Sequence, residues 1–113
     1  MNKVAGRSNQ LWIEEEVVVL CAIFASSKFS VGDDERTECK KIANCFDRSP
    51  ATVDRQWRNI KKYMSDGDPN IKISNMVKKW SDVLLLDRQL VQRLAIIYCR
   101  EKNWPLKNLV CEA

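Results

Sequence analysis

Three glutamates, Glu14-Glu15-Glu16, run directly into nine apolar residues, Val17–Ala25 (VVVLCAIFA), and this junction constrains the fold more than any other stretch. A segment that is apolar on every side has no face to offer water, so the rest of the chain must surround it. Val17-Val18-Val19 is β-branched and on its own fits a strand. The acidic start and the length of the run point instead to a helix from about Leu11 to Ser26, because carboxylates in a first turn complement the helix dipole. At nine residues the run is too short to cross a membrane. The prediction is a buried central helix.

What surrounds it also reads as helix. Three glycines and three prolines in 113 residues reserve little chain for turns. Asp33 or Asp34 can cap a second helix to Phe46, with Ile42, Ala43 and Phe46 inward. Ser74 can cap a fourth containing Met76, Val77, Trp80, Val83 and Leu84. A fifth carries Leu90, Val91, Leu94, Ile97 and Tyr98 at helical spacing, stops near Asn103, and precedes a short helix opened by Pro105 and ending at Val110. SSKFSVGDD (26–34) and SDGDPN (65–70) read as loop and turn. The expected architecture is all-α: a loose arm at 1–10, a three-helix helix-turn-helix-like head over 11–85, and C-terminal helices over 86–113. Those last helices pack on the head or form an interface.

The third helix carries the functional signal. In RSPATVDRQWRNIKKY (48–63), Ser49 is a favoured N-cap and Pro50 suits the first helical position. At about 100° per residue, Val53, Trp57, Ile60 and Met64 fall in one narrow arc. Ala51, Arg55, Arg58 and Lys62 fall opposite, with Thr52 and Asn59 beside them. The net charge of +4 is concentrated around this segment, since residues 41–80 hold nine Lys and Arg against four Asp and Glu. Such asymmetry points to an anionic partner.

Other chemistries find little support. The chain has no histidine, so no serine or cysteine has an imidazole to activate it, and no glycine-rich phosphate loop is present. The five cysteines show no C-x-x-C pair and read as reduced thiols, with Cys21 and Cys99 as buried small hydrophobes. Glu14-Glu15-Glu16 and Asp33-Asp34-Glu35 read as helix N-terminal charge. No enzyme, metal or cofactor is expected. The polar stretch 1–10 does not read as a signal sequence, so a cytoplasmic protein is expected, associated with the nucleoid if bacterial.

Two segments resemble a known family. Trp12-Ile13-Glu14-Glu15-Glu16 is similar to the W-T-x-E-E opening of the first helix in Myb/SANT-like repeats. Arg48 to Val53, through Trp57-Arg58-Asn59, is similar to their recognition-helix segment. The resemblance is closer still to the small helical domain found ahead of HNH nucleases in bacterial and phage proteins, and covers roughly residues 10–85. It implies a three-helix head whose third helix contacts DNA, with Trp12 and Trp57 in the core. Ile13 departs from the usual Thr or Ser, Asp47 from the usual Gly of the turn, and Phe46 from the usual tryptophan. An HNH centre needs histidines that this chain lacks.

The resulting expectation is a small non-enzymatic protein that binds double-stranded DNA. Its contacts are Arg48, Ala51, Thr52, Arg55, Arg58, Asn59 and Lys62 around the third helix, with Lys78 and Lys79 on phosphates. The alternative is a protein-interaction module, such as a phage-encoded inhibitor or adaptor acting on a nucleic-acid-processing or defence complex. Leu84-Leu85-Leu86 cannot all face one core, which leaves apolar surface for a protein partner or for a homodimer through the C-terminal helices.

Overall fold

In the computed structural model the described residues are 11–26, 33–66 and 73–110, and they are all-α. The elements are α1 (Glu14–Ser26), α2 (Asp33–Phe46), α3 (Pro50–Asp66), α4 (Asn75–Leu86), α5 (Arg88–Lys102) and a single-turn α6 (Lys107–Val110). The arm at 1–10, with Lys3 and Arg7, lies outside the described residues, as do the centres of both expected loops and Cys111. Among the described residues no helix is long and apolar enough to cross a membrane.

The apolar run does what its composition requires. Val17 through Ile23 have no exposed surface at all. Around α1 stand α3, α4, α5 and α6, while α2 packs on α3. One continuous core runs from α1 into both the head and the C-terminal helices, with Ile42, Ala43, Phe46, Val53, Trp57, Ile60, Val77, Trp80 and Leu84 contributing from α2 to α4.

The fifth helix keeps Val91, Leu94 and Tyr98 of its expected apolar face on the core side and departs from it at Leu90 and Ile97. It buries Val91, Ala95 and Cys99, at i, i+4 and i+8, against the core. Leu90 is 43% exposed and Ile97 44% exposed, on the outer side. Among the described helices, α1 and α5 pack most extensively on one another. Leu84 is buried as its neighbours Leu85 and Leu86 project into solvent.

Helix ends follow their sequence signals. The Ser74 hydroxyl accepts from the Val77 amide, and the Asp87 carboxylate accepts from the Leu90 amide, so Asp87 ends α4 and starts α5 at once. Asp47 and Asn103 are the two non-glycine residues with positive φ among those described, both at 58°. Each closes a helix in a left-handed turn. The amide of the next residue reaches back five positions, Arg48 to the Ala43 carbonyl at 3.0 Å and Trp104 to the Cys99 carbonyl at 2.9 Å. Both turns throw the following side chain inward. The Trp104 ring accordingly lies 4.7 Å from that of Phe46, which in turn meets Trp12 edge-on at 5.9 Å.

Candidate nucleic-acid interface

The turn at Asp47 decides what α3 presents. It directs Arg48 into the molecule, where its Nη2 and Nε donate to the Glu16 carboxylate and Nη2 also donates to the Leu11 carbonyl. The guanidinium stacks over Trp12 at 4.5 Å. Arg48 was expected among the DNA contacts. The structure removes it from that set, because a buried, fully engaged guanidinium cannot reach a ligand outside.

Beyond the turn, Ser49 caps α3: its hydroxyl accepts from the Thr52 amide at 3.2 Å and bonds the Thr52 hydroxyl at 2.8 Å. Val53, Gln56, Trp57 and Ile60 are buried, and Phe24 of α1 meets Trp57 edge-on at 5.2 Å. With that face fixed, Ala51, Arg55, Arg58 and Lys62 form an exposed stripe along the opposite side, and Thr52 and Asn59 lie half-buried at its edge.

Two interactions along α3 were not foreseen. Arg58 Nε lies 3.1 Å from Asp54 Oδ2, one turn back. Asn59 Nδ2 donates to Gln56 Oε1 at 3.2 Å. The i,i+4 spacing of an acid and a base was the available signal for the first. The second needed knowledge that Gln56 faces inward.

Lys78 and Lys79 belong to α4, which packs beside α3. Tyr63 of α3 donates to Asp82 of α4 at 2.9 Å, tying the helices together, and that bond raises the Tyr63 hydroxyl above its ordinary pKa of 10.0. Lys78 is half-buried. Lys79 remains exposed, but its ammonium sits 3.2 Å from Glu14 of α1 and 5.1 Å over the Trp80 ring. The Trp80 indole N–H donates to the same carboxylate at 2.9 Å. These two donors, the indole first, hold Glu14 below its ordinary 4.5. The structure thus brings Ala51, Thr52, Arg55, Arg58, Asn59 and Lys62 together on one helix, and engages Lys79 elsewhere. Comparison with family models, with curated proteins and with solved structures finds no match to this chain.

Proposed function

We propose that the chain is a small non-enzymatic DNA-binding protein that lays the exposed face of α3 in the major groove of a duplex. The observation that carries the reading is the Ala51–Arg55–Arg58–Lys62 stripe, three cations spaced along one outward side of a capped helix whose other side is locked into the core. A helix of ordinary diameter fits the major groove, where arginine grips guanine and asparagine reads adenine. The small residue Ala51 lets the start of the helix approach closely. Lys78 adds charge from α4. The Myb/SANT-like resemblance assigns the same helix the same task. The protein would act in the cytoplasm, on the nucleoid in a bacterium.

The test is fluorescence anisotropy of a labelled duplex titrated at two salt concentrations with wild type and with Arg55→Ala/Arg58→Ala. Wild type binds and weakens steeply with salt, and the double variant loses affinity with a shallower log–log salt slope. No binding by wild type at low salt rejects the reading.

A second reading is favoured by a different observation. Leu85, Leu86, Leu90 and Ile97 expose apolar surface at the α4–α5 corner and along α5, with Leu86 87% exposed. Such a cluster suits a protein-interaction module, in which a partner protein or a second copy covers the leucines and the basic face is incidental. Under that reading Leu86→Ser/Leu90→Ser abolishes complex formation, while Arg55→Ala/Arg58→Ala does not.

A further inference from the structure

We infer that Asp54 is a specificity-determining residue of the α3 face, holding Arg58 by one edge so that the opposite edge is presented to guanine. The inference rests on α3 being the DNA-facing helix. A guanidinium carries five N–H donors in a rigid plane. Asp54 Oδ2 forms an ion pair with Arg58 Nε at 3.1 Å, which leaves the two terminal amino groups to donate outward. Those groups are the pair that bonds guanine O6 and N7 together.

On affinity alone a carboxylate at this position is a cost, because it repels phosphate and offsets one cation of the stripe. Its gain is directional. A long arginine on a basic helix reaches whichever phosphate is nearest, whereas one held at Nε has fewer orientations and favours a ligand that matches its free edge.

The adjacent residue is restrained in the same way. Asn59 gives one amide hydrogen to the buried Gln56 at 3.2 Å, keeping its carbonyl and its second N–H for the N6 and N7 of adenine. Two neighbouring side chains able to read a base in bidentate fashion are therefore each oriented by a residue one turn earlier. The face is built for discrimination and not for charge alone.

The test is selection from a pool of duplexes randomised over about ten base pairs by wild type, Asp54→Asn, Arg58→Ala and the double variant. Affinities are then measured for an enriched and a scrambled duplex, with thermal melting to confirm that each variant is folded. Wild type enriches guanine at one position by about five-fold or more, and Arg58→Ala loses that preference. Asp54→Asn binds the scrambled duplex more tightly, with a salt slope steeper by about one, while its guanine preference falls to less than half. In the Arg58→Ala background, Asp54→Asn changes the preference no further. An unchanged guanine preference in Asp54→Asn overturns the role given to Asp54. A wild-type pool with no enriched base also overturns it and leaves sequence-independent DNA binding intact. A wild-type protein that retains no duplex rejects the DNA reading itself.

Discussion

Arg48 Nη2 lies 2.9 Å from Glu16 Oε1, and neither side chain has any exposed surface. The pair joins the turn before α3 to the first turn of α1, so it fixes where the basic helix begins relative to the core. Glu16 also accepts from the Ile13 amide at 3.1 Å, closing the start of α1. Its carboxylate therefore serves a helix end and an ion pair together.

Removing one partner leaves the other charge buried without compensation. Arg48→Met and Glu16→Leu are each expected to cost about 3–5 kcal/mol in urea denaturation. The combined variant is expected to cost less than either single one, because apolar groups of similar volume then fill the site. Additive losses would show that the two side chains act independently.

Asp47 holds a left-handed conformation that glycine adopts without steric cost. Asp47→Gly is expected to raise stability by about 0.5–1 kcal/mol, seen as a Tm higher by several degrees. The substitution keeps the turn that directs Arg48 inward, so a lower Tm would mean that the Asp47 side chain stabilises the turn itself.

The thiols make a pH-dependent prediction. Burial pushes Cys21 from its ordinary 9.0 up to about 12, and Cys99 up to about 11. Both are raised in the folded state, so below pH 9 neither form is ionised and their contribution is fully present. As pH rises above 9 the unfolded chain ionises first, and stability falls until the folded thiols titrate. Denaturation midpoints should therefore decline between pH 9 and 11. At pH 8 iodoacetamide should leave Cys21 and Cys99 unmodified until denaturant is added, since reactivity follows the thiolate.

At the acid end, Glu14 is held low by the Trp80 indole and the Lys79 ammonium. A lowered carboxylate contributes stability above its unfolded pKa of 4.5 and loses it as pH falls through the folded value. Glu14→Gln should flatten the acid limb of the stability profile below pH 4.5 and abolish any change in Trp80 fluorescence over the same range.

Much of this architecture was legible in the residues. The run Val17–Ala25 demanded a central helix, Ser74 and Asn103 marked helix ends, and the arc Val53–Trp57–Ile60 fixed which side of α3 faces water. What was not legible depended on distance in space. Arg48 sits 32 positions from Glu16 in sequence, and nothing local distinguishes it from Arg55 or Arg58. The face of α5 was legible only in part. Spacing marks Val91, Leu94 and Tyr98 correctly, but side-chain size also favours Leu90 and Ile97, which stay 43% and 44% exposed, over the buried Ala95. The resemblance flagged Asp47 as a departure from glycine, and the structure keeps the left-handed turn with aspartate in place.

The most direct measurement is the amide chemical-shift footprint of isotope-labelled protein titrated with a short duplex. The largest shifts are expected on Ala51, Thr52, Arg55, Arg58, Asn59 and Lys62, with Leu86, Leu90 and Ile97 unmoved. Shifts confined to the α4–α5 leucines, or no shifts at low salt, would contradict it.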